Sequence, residues 1–415
     1  MDRLIFHVDV NSAFLSWEAA RRISEGGRDI RNIPSCISGD PSERTSVVLA
    51  KSIPAKKYGI KTGEPISAAL RKCPDLYIAG PDFKLYRKCS KAFKDICRKY
   101  APVVEEFSID ECFLDMTGTG RVYPDPIATA YEIKDTIRDS LGFTVNIGVG
   151  SNKLLAKTAS DFEKPDKVHT LFTEEIPDKL WPLPVSDLFM VGRSAREKLE
   201  RKRIFTIGDL AHLDLKFTQR ILGVKIGTHL HEYANGIDHS EVSDEPKAAK
   251  GYNISTTFNE NVTDTEQANK ALLTLADTVS ARMRKDNVKA MCVSVKMRSD
   301  TFRNKSRQTV LDEPTDITAE IYETARRLLA DAWDTRVPLR LLGISLTKLA
   351  DGGNEQISLF PDEKREKNRM LDKTVDSIRS RYGQDSVKRG STLRSGTEIG
   401  RKHKAHLEDN ENRTK

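Results

Sequence analysis

Three acidic side chains carry the chemistry this chain could perform. Asp9 stands near the end of the apolar run "LIFHVDV" (residues 4–10), while Asp110 and Glu111 lie side by side inside "EEFSIDECFLDM" (105–116). Burying an unpaired carboxylate is costly, and two adjacent ones repel each other as well. Two arrangements would make the pair tolerable. A hairpin turn would carry both charges into water, and divalent cations would neutralise them where they stand. Hard cations such as Mg²⁺ take oxygen ligands. Two of them about 3.5–4 Å apart clamp the attacking and leaving oxygens of an in-line phosphoryl displacement. An aspartate ending one strand, beside an acidic pair on a neighbouring hairpin, is the ligand set such a site requires.

The elements around these residues predict an α+β fold. Residues 4–10 and 46–52 read as strands, 84–100 as a helix with Leu85, Cys89, Phe93 and Ile96 along one side, and 103–116 as two strands meeting near Asp110. A helix is expected at 125–141, a strand at 143–150, and a helix from 151 with Ser151 as its N-cap, blocked by Pro165. From 173 to 238 the pattern turns all-helical, with glycines between short helices. Such pairs can present backbone N–H groups to a phosphate, or be plain helical hairpins. The polar stretch 238–251, containing Pro246, reads as a linker. Beyond it comes a β-α-β-β-α-β order, a ferredoxin-like arrangement with one sheet face open.

Within that last region, Met291, Val293, Val295 and Met297 alternate onto one side of a hairpin, and Lys296 and Arg298 share the other. Arg303, Lys305 and Arg307 recur at period two on the return strand. Together they predict a nearly all-positive face suited to phosphate contacts.

Composition narrows the class without identifying it. The 415 residues leave room for roughly three domains, and 38% hydrophobic with 31% charged residues fits a well-folded soluble protein. A formal charge of +7 is a mild bias toward polyanions, equally compatible with an inert basic surface. Six cysteines without a C-x-x-C argue against a zinc site or disulfide framework, and predict reduced thiols in a cytoplasmic protein. His229 and His231 do not share a helix face, which argues against a metal there. The N-terminus is too short and too acidic for a signal peptide, and no run approaches a membrane span. After residue 350 the chain becomes polar, with "QISLF" (356–360), a helix near 363–382 and a charged tail expected to be disordered.

"FHVDVNSAF" and "FSIDECFLD", about a hundred residues apart, resemble the two catalytic motifs of the Y-family translesion DNA polymerases, and "VGSNKLLAKTASDFEKP" resembles that family's next block. The subgroup is similar to the bacterial DinB or polymerase IV type, and the likeness runs from residue 1 to about 350. It implies a right-hand-like polymerase: palm at 1–10 and 81–172, fingers at 11–80, helical thumb at 173–238, linker at 239–248, DNA-gripping little finger at 249–350 and a tail from 351 to 415. Asp9, Asp110, Glu111 and the Val10 carbonyl would hold two Mg²⁺ ions, and Phe14 would be the steric gate against a ribose 2′-hydroxyl. Lys164 would reach the triphosphate. The basic residues Lys296, Arg298, Arg303, Lys305 and Arg307 would contact DNA. "QISLF", that is Gln356, Ile357, Ser358, Leu359 and Phe360, resembles the peptide that docks bacterial polymerases on the sliding clamp.

The resemblance further implies a monomeric, cytoplasmic enzyme that takes deoxynucleoside triphosphates on primer–template DNA, with low fidelity, low processivity and no proofreading. The chain also departs from the family. Ile53 and Lys56 replace a tyrosine and an arginine that face the triphosphate in many relatives, so Lys56 offers a point charge where a bidentate fork is usual. Met190 replaces a glycine in the thumb turn. A non-catalytic, clamp-docked repair scaffold on a degenerate polymerase fold is the alternative. Its expected signature is loss of one of the acids, and all three are present. A nucleotide cyclase on a similar palm would need neither thumb, basic finger nor clamp peptide.

Overall fold

The computed structural model describes residues 3–245, 248–351 and 363–390, and the chain divides into two compact units that part near residue 246.

In the first unit, chain order runs β1 (Ile5–Val10), α1 (Ala13–Ser24), β2 (Ser35–Ile37), β3 (Ala50–Lys51), α2 (Ile53–Lys57), α3 (Ile66–Lys72) and β4 (Tyr77–Ala79). There follow α4 (Phe83–Cys97), β5 (Val103–Glu106), β6 (Glu111–Asp115), α5 (Pro126–Leu141), β7 (Val145–Gly150), α6 (Lys153–Ser160) and β8 (Val168–Leu171). The helices α7 (Arg193–Glu200), α8 (Ile207–Ala211), α9 (Leu215–Leu222) and α10 (Val224–Ala234) complete it. The strand expected at 46–52 contracts to Ala50–Lys51, in a small sheet ordered β3-β2-β4.

The main sheet has the order β5-β6-β1-β7-β8, antiparallel except for the β7–β8 pair. Period two along β1 sends Phe6, Val8 and Val10 into the largest core, where they join Trp17 of α1, Tyr86 and Phe93 of α4, and Ile133 and Ile137 of α5. Ile5, His7 and Asp9 therefore occupy the opposite face, which α6 covers in part. Gly148 and Gly150 permit that cover: a Cβ on Gly148 would sit 1.9 Å from the Ala156 carbonyl oxygen, and one on Gly150 would sit 2.8 Å from the Ala156 nitrogen.

The cap of α6 is Asn152, not the expected Ser151. Its Oδ1 accepts from Leu155 N at 2.9 Å while its amide donates to Gly236 O at 2.8 Å. The helix ends at Ser160, five residues short of Pro165. A separate apolar cluster holds the helical region after residue 173, with Leu180, Leu199, Ile207, Leu210 and Leu230 buried in it. The first half of the expected linker is not free. Val242 is buried with Ile5, Phe113 and Ala156, and Glu105 accepts from Ser243 N at 3.2 Å.

The second unit contains β9 (Gly251–Val262), α11 (Thr265–Lys285), β10 (Val288–Ser299), β11 (Asn304–Thr315), α12 (Thr318–Ala332), β12 (Leu339–Asp351) and α13 (Glu363–Tyr382). The first six follow the expected β-α-β-β-α-β order, and the sheet runs β11-β10-β12-β9, antiparallel throughout. The expected helix near 363–382 is α13. Arg284 donates to Asp376 at 2.6 Å and Asp372 at 3.2 Å, Asp372 accepts from Thr318 N at 2.8 Å, and Arg379 pairs with Asp277 at 2.8 Å.

Two expectations for the hairpin are corrected by its register. An irregularity between Ala290 and Cys292 takes Met291 out of the apolar layer, which is built instead from Ala290, Val293, Val295 and Met297. Lys305 stands opposite Met297 and Arg307 opposite Val295, so both share the apolar, helix-covered side rather than the side of Lys296 and Arg298. Lys305 accordingly reaches the Ala332 carbonyl at the end of α12. They remain exposed because β11 is the sheet edge. The side carrying Lys296 and Arg298 is otherwise uncharged and mostly small, with Ser294, Ser306, Gly343, Ser345 and Ser255 beside the larger Asn304, Gln308 and Leu341.

Candidate active site

Strand register brings the two acidic motifs together. Asp9 is paired directly with Glu111 across β1 and β6, and with Asn146 across β1 and β7. Residues so opposed have Cα atoms about 4.5–5.5 Å apart and side chains on one face. Asp110 closes the turn before β6, where its carbonyl accepts from Val10 N at 3.0 Å and its Oδ1 accepts from Ser108 Oγ at 2.7 Å.

Each carboxylate is held through one oxygen. Lys164 Nζ donates to Asp9 Oδ1 at 2.8 Å and also pairs with Asp161 at 2.8 Å. Glu111 Oε2 accepts from Lys157 Nζ at 2.6 Å and lies 3.3 Å from His7 Nε2. Asp9 Oδ2, Asp110 Oδ2 and Glu111 Oε1 have no hydrogen-bond partner among the described residues. Three hard oxygens left open on adjacent residues suit a hard divalent cation. The described residues hold no set of three or more His, Cys, Asp or Glu side chains already closed on one point. Asp9 and Glu111 are each turned toward a lysine, and Asp110 toward Ser108.

The neighbouring acids differ in proton affinity. Burial pushes Asp9 up to about 6, against the pull of Lys164. Burial acts the same way on Glu111, but hydrogen bonds from His7 and Lys157 outweigh it and bring the carboxyl down to about 2. Burial lowers the pKa of His7, which favours its neutral form. Its Nδ1 lies 2.8 Å from Ser160 Oγ.

Lys164 is placed by a pair of buried asparagines. Asn11 donates to Asn146 Oδ1 at 3.0 Å, and Asn11 Oδ1 accepts from Asp166 N at 2.9 Å and from Thr144 Oγ1 at 3.0 Å. Asn146 Nδ2 donates to the carbonyls of Ser160 and Glu163 at 3.1 and 2.6 Å. The loop bearing Lys164 is thus pinned to the ends of β1 and β7. Phe14, on the first turn of α1, is half-buried, its ring stacked on Tyr86 with centroids 4.6 Å apart and flanked by Trp17 and Phe83. Lys56 stands exposed on α2 without a side-chain partner among the described residues, and Ile53 is exposed beside it. Met190 has φ 70°. Residues 356–360 lie outside the described residues.

Sequence reasoning missed His7, Lys157, Ser160 and the two asparagines. A signal existed for His7, which shares the face of Asp9 at a spacing of two. For Lys157 there was only its place seven residues before Lys164.

Residues 8–161 match a model of the impB/mucB/samB family, residues 249–359 match that family's C-terminal domain, and 186–238 match a DNA polymerase-iota thumb domain. The chain is 44% identical over 397 residues to DNA polymerase IV of Clostridium acetobutylicum, covering 95% of this chain and 99% of that one. The chain belongs to the Y-family DNA polymerases, in their polymerase IV branch. DNA polymerase IV of Acetivibrio thermocellus is 37% identical, covering 95% of this chain and 98% of its own, and DNA polymerase IV 1 of Bacillus subtilis is 34% identical with 94% of each covered. A solved Y-family DNA polymerase chimera of Dbh and Dpo4 shares the polymerase fold, with a TM-score of 0.72 at 21% identity over 84% of this chain and 99% of that one. The family is one of metal-dependent nucleotidyltransferases. Among the described residues no helix is long and apolar enough to cross a membrane.

Proposed function

We propose that this Y-family polymerase copies primed DNA past damaged bases, with low fidelity, low processivity and no proofreading, and that Asp9, Asp110 and Glu111 are its metal ligands. The observation that carries the site assignment is the cross-strand pairing of Asp9 with Glu111 beside Asp110, each acid with one oxygen free. In the reaction the primer 3′-oxygen attacks the α-phosphorus of a deoxynucleoside triphosphate, the bond to the β-phosphate breaks, and pyrophosphate leaves. Two bound Mg²⁺ ions would activate that 3′-hydroxyl and balance charge on the phosphates. Asp9, Asp110 and the Val10 carbonyl would hold the ion travelling with the nucleotide, and Glu111 would complete the site on the primer side.

Lys164 has an alternative partner in Asp161 and an exposed flank, which supports a role in following the triphosphate. Lys56 supplies a second positive charge from α2. The packing of Phe14 against Tyr86, Trp17 and Phe83 supports a rigid steric gate. In this reading 1–10 with 81–172 form the palm, 11–80 the fingers, 173–238 the thumb and 249–350 the little finger. Lys296 and Arg298 on one face of the sheet, with Arg303, Lys305 and Arg307 at its β11 edge, grip the DNA backbone. Residues 356–360 bind the sliding clamp. The enzyme works as a monomer in the cytoplasm, on the nucleoid when engaged.

The deciding experiment is primer extension with Mg²⁺ on undamaged and lesion-bearing templates, with and without clamp. Asp110→Ala or Glu111→Ala should abolish extension and leave DNA binding nearly intact. Extension retained by either variant removes the metal assignment.

A further inference from the structure

We propose that Lys157 is a positioning residue for Glu111, and that Phe189, in the turn before α7, sets where Lys157 can hold it. The inference rests on reading Glu111 as a metal ligand. Lys157 takes Glu111 Oε2 at 2.6 Å and leaves Oε1 open, which is how an outer partner orients a metal-binding carboxylate. His7 shares Oε2 from the other side at 3.3 Å. The Lys157 ammonium is itself constrained, lying 5.1 Å from the ring centroid of Phe107 and 5.6 Å from that of Phe189.

The two rings belong to different parts of the unit. Phe107 precedes the Asp110 turn, and Phe189 is stacked on Tyr233 of α10 with centroids 6.3 Å apart. Beside them opens a cavity of about 710 Å³, lined by Lys157, Asp161, Phe162, Lys179, Leu183 and Phe189. Lys157 and Phe189 both line that cavity. A shift of the helical region after residue 173 is therefore felt at the Glu111 side chain through Lys157, while the contact of Phe189 with Phe107, 6.3 Å between centroids, reaches the Glu111 backbone. Lys157 has no second carboxylate partner among the described residues, unlike Lys164.

The test uses the full chain with primer–template and a non-hydrolysable deoxynucleotide analogue, and reads Mn²⁺ binding by electron paramagnetic resonance. In parallel, single-nucleotide insertion is resolved into a maximal rate and a half-saturating Mg²⁺ concentration. Lys157→Met should weaken Mn²⁺ binding and raise the half-saturating Mg²⁺ by about 10–100-fold, with the dissociation constant for primer–template unchanged. Lys157→Arg should recover most of that loss. Phe189→Ala should shift the metal constant the same way by a smaller factor, and the double variant should be no worse than Lys157→Met alone. An unchanged metal constant in a folded Lys157→Met, or additive losses in the double variant, overturns the proposal. Should Lys157→Met fail to fold, an unchanged metal constant in Phe189→Ala overturns it, and a weakened one supports it. A wild-type protein that neither extends primers nor binds Mn²⁺ would instead sink the polymerase reading beneath it.

Discussion

Two neighbouring carboxylates should respond to neutralisation with opposite signs. Asp9 holds its proton more tightly in the folded chain, at about 6 against an ordinary 3.8. Its contribution is favourable below pH 4 and is lost as the pH rises through 6, so the metal-free protein at pH 7.5 bears a penalty of up to about 3 kcal/mol. Glu111 is the reverse, at about 2 against 4.5. It contributes about 3 kcal/mol at neutral pH, a contribution lost only as the pH falls through 4.5 toward 2. Asp9→Asn removes the penalty but strips Lys164 of one partner, leaving it Asp161. The net expectation is a stabilisation of about 1–2 kcal/mol. Glu111→Gln should destabilise by about 2–3 kcal/mol, because Lys157 and His7 lose the charge they face. Urea unfolding in EDTA at pH 7.5 measures both, and the Asp9→Asn advantage should vanish by pH 4. Midpoints that move in the same direction would refute the electrostatic account.

Phe14→Ala should raise the ribonucleotide-to-deoxynucleotide insertion ratio on the order of 100-fold; an unchanged ratio rejects the gate. Met190→Gly relieves a left-handed residue worth about 1–2 kcal/mol, less about 0.5–1 for the glycine, so thermal unfolding should rise by a few degrees. A fall would mean the turn depends on the methionine side chain. Arg284→Met leaves Asp376 unpaired and Asp372 with Arg389, and should cost about 3 kcal/mol and strip hydrogen-exchange protection from α13; undiminished protection would show that α13 docks by other means. Replacing Leu359 and Phe360 with alanine should remove stimulation by the clamp and leave clamp-free insertion as it was, and persistent stimulation would clear the peptide of the role.

The acid cluster was legible because its cause is local. One motif puts an acid near the end of β1 and the other puts its acids at the start of β6, and antiparallel pairing sets the end of one strand against the start of the other. The basic hairpin was misread for the opposite reason. Period two states that Arg303, Lys305 and Arg307 share a side, but not which side of the partner strand that is, and the irregularity at Met291 is set by the sheet as a whole. The Asn152 side chain that caps α6 also donates to the Gly236 carbonyl, 84 residues away, a contact no local pattern reveals. Burial of Val242 under the main sheet is equally invisible to composition, which sees only a polar stretch around it.

Lys157 and Lys164 differ in kind, although each binds one acid. Lys164 sits on a loop pinned by Asn11 and Asn146, a third exposed, with Asp161 at the same 2.8 Å as Asp9. It can leave Asp9 without becoming an unpaired charge, which fits the triphosphate contact proposed for it. Lys157 lies against two aromatic rings with Glu111 as its one acidic partner among the described residues, and leaving would cost it that pair. Counting Asp161, four carboxylates against two ammonium groups and a neutral His7 leave the metal-free site short of positive charge by up to about two units. In the proposed reading a cation arriving with the nucleotide would displace Lys164 while Lys157 stays, so that nucleotide entry and metal entry at Asp9 would become one event, with the geometry of Glu111 fixed beforehand.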